Sequence, residues 1–368
     1  MIKVLLVSNM YAYAGNWDKL DELGRHVELH VVTPSRWATS EELHSVAEVQ
    51  QRDGRSWIHH PLPTIAQGNP FRYVYRPLPL IRVLRAVRPD VVHVEQEPES
   101  LSLLQLSLLK VWFRYRLLFV AWENVNPLRL GWAFRRLNFA LADGAIFGNR
   151  AALRRAVTLG FHRPFTLTPQ YGFKAASRGP HRPGSEAFSV GYAGRLVPVK
   201  GIRDLLEATR LVPGVELVVA GDGPLADEVR GNRHVRWLGT LDRTRMAEFW
   251  EQIDVLAIPS LSTRKWTEQF GRVIVEAMAQ GVPVIGSSSG AIPEVIDDAG
   301  LVYPEGDVAQ LAEAIERLRS DASLRELLAT RGYDRLASTY HYDVVMPATV
   351  DFYKEILGSG RAVGRNTP

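Results

Sequence analysis

Short apolar runs alternate with longer amphipathic segments along almost the whole chain of 368 residues. The short runs are rich in β-branched residues and end at turn-forming residues, as buried strands do. The longer segments repeat their apolar residues at helical spacing. Because buried strands that alternate with helices form parallel sheets covered on both faces, the pattern predicts an α/β architecture.

Eleven short runs are predicted to be strands, and they fall into two groups. The first group comprises residues 3–8, 28–33, 91–95, 117–122 and 144–148. The second group comprises residues 188–194, 215–221, 235–239, 255–260, 283–287 and 300–304, followed by two predicted helices over 307–321 and 322–339. Each group suffices for one Rossmann-like domain, so we predict two domains.

The segment between the two groups has the composition of a linker. It is rich in Gly, Pro, Ser and charge and has no periodicity. We therefore predict an N-terminal domain over residues 1–174, a linker over 175–187 and a C-terminal domain over 188–340. A helix over 341–358 is a candidate to return to the N-terminal domain, and residues 359–368 are expected to form a flexible tail.

The composition is that of a soluble globular protein, with 46% apolar and 23% charged residues. The sequence contains no cysteine, which excludes disulfides and thiolate metal sites. The apolar stretch 101–122 is interrupted by Lys110, Arg114 and Arg116, so it is not predicted to span a membrane. Since the first residues lack a cleavage pattern, we expect a cytoplasmic protein, with contact to the inner face of the cell membrane left open.

The two halves of the chain differ in charge. Residues 1–174 hold 22 basic and 14 acidic side chains, whereas residues 175–368 hold 22 and 26. A basic half favours an anionic partner, and nucleic acid, phospholipid and lipid pyrophosphate all meet that description.

One basic run in the N-terminal half is a candidate membrane-contact surface. It mixes arginines with aromatic residues, namely Arg72, Arg76, Arg82, Arg85 and Arg88 with Phe71, Tyr73 and Tyr75, and Arg135 and Arg136 extend it. Such a face suits an anionic bilayer, and the alternative is ordinary basic solvent exposure.

The segment 268–285 contains the most informative local pattern of the C-terminal half. Glu268 and Glu276 flank Phe270 and Gly271 ahead of an apolar helix and a strand. Gly271 permits close approach of a ligand to the backbone, and the amides of the following helix N-terminus suit an anion or sugar hydroxyls. A carboxylate such as Glu276 accepts hydrogen bonds from two vicinal hydroxyls, as a ribose presents them.

Two further turns of the same half carry phosphate-binding features. Residues 191–202 place Arg195 and Lys200 in a glycine-containing loop, and Gly221 lies in the turn 220–224. Two cations beside glycines form a cradle for a diphosphate. Because ligands bind at the carboxyl ends of parallel strands, these turns and Glu268 are expected to converge.

The order of "GRLVPVKG", "AGDGP" and the pair Glu268 and Glu276 resembles the donor site of retaining glycosyltransferases of family four. The resemblance covers nearly the whole chain. It implies the GT-B fold, in which two facing Rossmann-like domains with parallel sheets enclose a deep interdomain cleft.

The resemblance also implies roles for individual residues. Arg195 and Lys200 would hold the diphosphate of a UDP or GDP sugar, and Glu268 with the backbone of Phe270 and Gly271 would hold the transferred sugar. Glu276 would bind the ribose. The other expected donor contacts are Gly15, Gly221 and the backbone near Leu241. Transfer is expected to proceed with retention and without a metal or any other cofactor, onto a hydroxyl of a glycan, glycolipid or small molecule.

The N-terminal domain departs from the family pattern at two places. Only Gly15 is present where relatives have two adjacent glycines, and Glu123 and Asn124 occupy a position where many relatives have histidine. Glu95 and Glu97, at the end of the strand 91–95, are further candidates for acceptor or sugar contacts. His93 in the same strand is interpreted as a packed residue and not as a catalyst.

Other functions remain as alternatives. A nucleotide-sugar 2-epimerase or a sugar phosphorylase of the same fold shares the phosphate-binding groups. A nucleic-acid-binding protein is less consistent, because the diphosphate-binding cations lie in the acidic half. A dinucleotide oxidoreductase is disfavoured, since the first strand is not followed by Gly-x-Gly-x-x-Gly.

Overall fold

The computed structural model describes residues 1–12, 17–38, 46–48, 56–122, 131–169, 171–174 and 188–358. The chain forms two compact units. The first contains Met1–Gly172 together with the chain from Val345 onward, and the second contains Phe173–Val344. The candidate linker 175–187 and tail 359–368 lie outside the described residues.

Within its described residues the first unit has eleven strands in three sheets. Their bounds are β1 Lys3–Val7, β2 Glu28–Pro34, β3 Arg36–Ala38, β4 Val46–Glu48, β5 Trp57–Leu62, β6 Thr64–Ile65, β7 Val74–Tyr75, β8 Val91–Val94, β9 Arg116–Ala121, β10 Gly144–Phe147 and β11 Phe165–Leu167. Seven form a parallel sheet in the order β11-β10-β9-β8-β1-β2-β5, while β3 pairs with β4 and β6 with β7 in antiparallel fashion.

Helices cover both faces of the seven-stranded sheet. They are α1 Asp18–Leu23, α2 Pro77–Val87, α3 Leu101–Phe113, α4 Gly131–Leu141 and α5 Arg150–Thr158. Buried residues of α2, α3, α4 and α5 share one hydrophobic cluster with strand residues such as Leu5, Val92 and Phe119, so these four helices cover the same face. The apolar stretch 101–122 forms α3 and β9 and not one continuous helix.

The second unit contains one parallel sheet of six strands. The strands are β12 Phe188–Ala193, β13 Val215–Ala220, β14 Val235–Gly239, β15 Val255–Ile258, β16 Val284–Ser287 and β17 Gly300–Tyr303, in the order β14-β13-β12-β15-β16-β17. The helices are α6 Ile202–Leu211, α7 Ala226–Arg230, α8 Arg243–Glu251, α9 Arg272–Ala279, α10 Ile292–Ile296, α11 Val308–Ser320 and α12 Ala322–Arg335. The eleven predicted strands and the two predicted helices are all present.

A last helix, α13 Tyr342–Gly358, carries the chain from the second unit into the first. Its Phe352 and Ile356 pack against Gly144, where any side chain would collide with them. The hydroxyl of Tyr353 is hydrogen-bonded to Nδ1 of His93 at 2.5 Å. His93 lies in β8 with 1% of its surface exposed, which confirms it as a packed residue. Burial lowers the pKa of His93 to about 3, so its imidazole is neutral at physiological pH.

No helix in the described part of the chain is long and apolar enough to cross a membrane.

Candidate functional site

The strand order of the second unit defines where its loops meet. The chain runs from β12 outward to β13 and β14, then returns to β15 on the other side of β12 and continues outward to β16 and β17. Strands β12 and β15 pair in parallel, so the loops that follow them leave the same edge of the sheet in opposite directions. This reversal is the position at which open α/β sheets bind ligands.

The loop after β12 is fixed to the loop after β13 by backbone hydrogen bonds. The amide of Leu196 donates to the carbonyl of Asp222 at 2.9 Å, and that of Leu225 donates to the carbonyl of Leu196 at 3.0 Å. Gly221 has φ of +139° and lies very close to Gly194. A Cβ added to Gly221 would stand 1.9 Å from the carbonyl oxygen of Gly194. Glycine is therefore required at Gly221 by close packing of the two loops.

Arg195 lies at the start of this loop and is exposed. Its backbone carbonyl accepts a hydrogen bond of 2.8 Å from the hydroxyl of Tyr192. Burial, and secondarily the charge of Glu268, raises the pKa of Tyr192, so this hydroxyl remains a donor. In the described part of the chain no carboxylate lies within ion-pair distance of the Arg195 guanidinium, which is thus available to an anionic ligand.

Lys200, in the loop after β12, contacts Glu268, in the loop after β15, where the strand order reverses. Nζ of Lys200 lies 2.6 Å from Oε2 of Glu268, and Oγ of Ser260 donates to the same oxygen at 2.9 Å. Both side chains of the pair are largely but not fully buried, with 21% and 10% of their surfaces exposed. A partly desolvated pair interacts more strongly than a surface pair, and the ammonium retains further N–H donors for a ligand.

Backbone contacts hold these two loops together. The amide of Leu261 donates to the carbonyl of Val199 at 2.8 Å. Gly201, with φ of +67°, lies next to Pro259, and a Cβ at Gly201 would stand 1.8 Å from the Pro259 carbonyl oxygen. The approach of Lys200 to Glu268 thus depends on a glycine that follows the lysine directly.

Trp266 is an additional aromatic group at this position. Nζ of Lys200 lies 4.8 Å from the centroid of its ring, within the range of a cation–π contact. The lysine ammonium therefore contacts both a carboxylate and an indole. Trp266 and Ser260 were not among the residues singled out from the sequence, although Trp266 stands only two positions before Glu268.

The segment after Glu268 leads into α9. The carbonyl of Glu268 accepts a hydrogen bond of 2.8 Å from the amide of Ala291, which ties it to the loop after β16. Phe270 is buried and packs against Phe173 and Tyr340. Gly271 is the N-cap residue of α9 in left-handed conformation, with φ of +70°, so the N-terminus of the helix, a position that suits an anion, follows it directly.

Glu276 lies inside α9 and is half-buried. Its Oε1 accepts a hydrogen bond of 2.8 Å from Nε of Arg272, one turn earlier in the helix. Glu276 therefore lies within a helix, as predicted, and its carboxylate is hydrogen-bonded to Arg272.

Leu241 follows β14, the outermost strand on this side of the sheet. Asp242 caps α8 by accepting a hydrogen bond of 2.9 Å from the amide of Arg245. The indole of Trp237 in β14 donates to the carbonyl of Gly221 at 2.9 Å, which connects β14 to the loop after β13. Gly221 and Leu241 thus belong to neighbouring loops at the same sheet edge as Lys200.

Glu95 and Glu97, two of the candidate residues of the first unit, are buried. Glu95 is 1% exposed, and its Oε1 accepts hydrogen bonds from Nζ of Lys19 at 2.6 Å and from the hydroxyl of Tyr11 at 2.9 Å. Burial alone would raise the pKa of Glu95, but the charge of Lys19 and these hydrogen bonds outweigh it and lower the pKa. Glu97 accepts a hydrogen bond of 2.9 Å from the amide of Trp122. Both carboxylates therefore accept hydrogen bonds from other groups of the first unit, near the carboxyl ends of its strands.

Gly15, Glu123 and Asn124 lie outside the described residues. The described residues contain no group of three or more His, Cys, Asp or Glu side chains arranged to hold a metal ion.

The candidate membrane-contact run is only partly exposed, which corrects the sequence interpretation. Arg135 is buried and pairs with Glu99 at 3.1 Å, and Arg155 pairs with the same carboxylate at 2.7 Å. Tyr73 and Tyr75 are fully buried, so they belong to the core. Alternate side chains of residues 72–76, which include β7, point to opposite sides, so Arg72 and Arg76 are exposed while the two tyrosines face the core.

Comparison with known proteins identifies relatives of the second unit. Residues 174–335 match the sequence model of the family described as Glycosyl transferases group 1. The chain is 34% identical over 185 residues to D-inositol 3-phosphate glycosyltransferase of Mycobacterium marinum, a match that spans 46% of this chain and 38% of that protein. The corresponding protein of Mycobacterium ulcerans is 33% identical over 185 residues, which is 46% of this chain and 39% of the relative. The chain thus aligns with less than half the length of these curated relatives.

Solved structures with the same fold cover nearly the whole chain. Sucrose-phosphate synthase from Thermosynechococcus elongatus superposes with a TM-score of 0.72 at 17% identity, over 98% of this chain and 100% of that chain. HepE of Anabaena in complex with UDP gives a TM-score of 0.72 at 16% identity, over 96% and 100% of the two chains. At this identity the likeness concerns the fold alone, and it confirms the predicted GT-B fold class of two Rossmann-like domains with parallel sheets.

Proposed function

We propose that this protein transfers a sugar from a nucleotide diphosphate sugar to a hydroxyl group, and the match of residues 174–335 to the model of the group 1 glycosyl transferases supports the proposal. The contact of Lys200 with Glu268, 2.6 Å long and located at the reversal point of the second sheet, is the observation that carries the proposal. In this contact, the cation that would stabilise the leaving group lies next to the carboxylate that would accept hydrogen bonds from sugar hydroxyls.

We assign the diphosphate to Arg195 and Lys200. The bond between the anomeric carbon and the diphosphate oxygen breaks during transfer, so negative charge develops on the departing oxygens. Arg195 is exposed and has no described carboxylate partner, while Lys200 is held by Glu268 and Trp266. Two cations of this kind stabilise the leaving group without a metal ion, and metal independence is part of the proposal.

We assign the transferred sugar to Glu268 and the backbone of Phe270 and Gly271, and the ribose to Glu276. The amides at the start of α9 would donate hydrogen bonds to the sugar or to a phosphate, as helix N-termini do with anions. Glu276 would exchange its bond with Arg272 for bonds to the ribose hydroxyls. Gly221 and the backbone near Leu241 would contact the remainder of the nucleotide.

The proposed stereochemical outcome is retention. The acceptor oxygen forms its bond to the anomeric carbon on the face from which the diphosphate leaves, and the acceptor proton passes to a diphosphate oxygen. The reaction then requires no protein base, which agrees with the engagement of Glu95 by Lys19 and Tyr11 in the interior. A UDP or GDP sugar is the proposed donor. HepE of Anabaena, which shares the fold, was crystallised with UDP-glucose.

We further propose that the protein acts in the cytoplasm, with a glycan, lipid-linked sugar or small molecule as acceptor. The mycobacterial relatives are named as acting on D-inositol 3-phosphate, and a phosphorylated acceptor would suit the basic N-terminal half. Peripheral contact with the inner face of the cell membrane is also part of the proposal.

A thermal-shift screen of UDP and GDP sugars tests the donor assignment. A ligand at one hundred times its dissociation constant stabilises a protein by about 2.7 kcal/mol. The stabilising nucleotide sugar is then incubated with candidate acceptors, with and without EDTA, and the anomeric configuration of the product is determined by NMR. Conversion of the nucleotide sugar without an acceptor would identify an epimerase, and a requirement for free phosphate would identify a phosphorylase. If no nucleotide sugar stabilises the protein, the proposal is wrong.

A further inference from the structure

One helical face of the first unit carries charge of a single sign. Helices α2, α3, α4 and α5 cover the same side of the seven-stranded sheet. Their sequences contain no aspartate or glutamate and eight basic residues, which are Arg82, Arg85, Lys110, Arg135, Arg136, Arg150, Arg154 and Arg155. We call the solvent side of these four helices the α2–α5 face.

Part of this charge is neutralised by residues outside the helices. Glu99 pairs with Arg135 and Arg155, and Asp143 pairs with Lys110 at 2.7 Å. Four exposed arginines remain that no carboxylate of the described chain contacts, namely Arg82, Arg85, Arg136 and Arg154. The α2–α5 face therefore attracts a polyanion.

The same face exposes large apolar side chains. In α3, Trp112 is 73% exposed and Val111 is 66% exposed, with Leu108 one turn before them. In α4, Trp132 is 53% exposed, and Leu137 is also on the surface. Single exposed apolar residues are ordinary, but two tryptophans with three aliphatic residues on adjoining helices require a partner that accepts apolar groups.

We propose that the α2–α5 face docks on an anionic lipid bilayer. Trp112 and Trp132 would enter the interfacial region, where indoles are favoured, while the exposed arginines would bind lipid phosphates. Arginines without tryptophans would suit a nucleic acid backbone equally well, and tryptophans without arginines would suit an apolar protein partner. The combination on a surface with no acidic residue in its helices fits anionic lipid best.

The inference deepens the proposed function by naming the surface that meets the membrane. It rests on that function only for the nature of the acceptor, because binding to lipid is measured without any sugar transfer. Flotation of the full chain with vesicles of equimolar phosphatidylcholine and phosphatidylglycerol, compared with vesicles of phosphatidylcholine alone, is the assay. Binding to the anionic vesicles at low salt that weakens at high salt is expected.

Two variants separate the two contributions. The double substitution of Trp112→Ala with Trp132→Ala and the triple substitution of Arg82→Gln, Arg85→Gln and Arg136→Gln are each expected to lower binding roughly tenfold or more. Matched controls in α6 of the second unit are Leu211→Ala, at a residue that is 60% exposed, and Arg210→Gln. They should bind like the parent. Circular dichroism and the thermal shift with nucleotide sugar verify that each variant is folded and retains its donor site.

Three results would overturn the inference: absence of anionic-vesicle binding at low salt, unchanged vesicle binding by the tryptophan variant, and binding to DNA but not to vesicles. Each of them leaves the donor assay unaffected. Failure of the donor screen with intact lipid binding would instead reject the enzymatic proposal and retain the docking face.

Discussion

The ammonium of Lys200 lies 2.6 Å from a carboxylate oxygen of Glu268, although 68 positions separate the two residues in the sequence. They come together because β12 and β15 are neighbours in the sheet and their loops begin side by side.

Loss of either charged partner should strongly reduce the rate of sugar transfer. Lys200→Ala and Glu268→Gln are expected to reduce turnover by roughly 10²–10³-fold, because each removes a group that stabilises charge or holds the sugar at the reacting bond. Steady-state kinetics with the donor identified by thermal shift measures the effect. Lys265→Ala, at an exposed lysine of the same loop as Glu268, is the control and should behave as the parent. Near-normal turnover of both active-site variants would remove the basis of the assignment.

Trp266 should act by positioning Lys200. Since a partly buried cation–π contact contributes about 0.5–2 kcal/mol, Trp266→Ala is expected to lower kcat/KM roughly 2-fold to 30-fold, and Trp266→Phe should recover part of the loss. A purely structural role would lower the thermal stability of both variants without this graded recovery of kinetics. In the Lys200→Ala background the tryptophan substitution should have little further effect.

Gly201 should be required for the meeting of the two loops. In Gly201→Ala the new Cβ would lie 1.8 Å from the Pro259 carbonyl oxygen, so the loops that carry Lys200 and Glu268 must separate. We expect weaker nucleotide-sugar stabilisation in the thermal-shift assay and strongly reduced turnover. Gly214→Ala is a matched control, since Gly214 has a similar φ of +76° but no atom within 4 Å of the added carbon. If both variants lose donor binding equally, backbone strain and not loop separation is the cause.

The first unit should lose stability in mild acid through its histidines. Nδ1 of His30 lies 3.0 Å from Nε2 of His60 in neighbouring strands, and His30 also contacts Glu28. Burial, followed by the charges of His30 and His59, lowers the pKa of His60 from 6.5 to about 4. Between these two pH values the unfolded chain binds a proton that the folded chain does not, so stability falls as the pH falls from about 6.5 to about 4.

Urea denaturation at a series of pH values measures this dependence. His60→Gln removes the titrating group and should flatten the decline of the unfolding free energy over that interval. Burial lowers the pKa of His93 to about 3, so His93 contributes to the decline over the same interval, and the comparison is between the slopes of parent and variant. Parallel slopes for the two proteins would contradict the role of His60.

The sequence predicts the central strands because their apolar runs are continuous. It does not predict β5 and β11. Strand β5 lies at one edge, and the residues His59, His60 and Pro61 interrupt its apolar run. Strand β11 lies at the other edge and has three residues, which is too short for a periodic signal.

The convergence of Lys200 and Glu268 could be predicted because glycines and charges at strand ends mark loops that a parallel sheet brings together. The partners of those residues could not be derived in this way. Whether Glu95 faces a ligand or Lys19 depends on side-chain directions across β8 and α1, and no spacing along the chain encodes them. The burial of Arg135 against Glu99 likewise depends on how α4 lies on its neighbours.

The passage of α13 into the first unit has a practical consequence for dissecting the protein. Ile356 and Phe352 fill the space beside Gly144, and Tyr353 supplies the hydrogen bond to His93, so the fold of residues 1–172 includes a piece of the distant chain end. A recombinant fragment made by stopping translation at the domain boundary would lack that piece and expose an apolar groove. Isolating the N-terminal domain in folded form thus requires a spliced gene that joins both segments through a new connector.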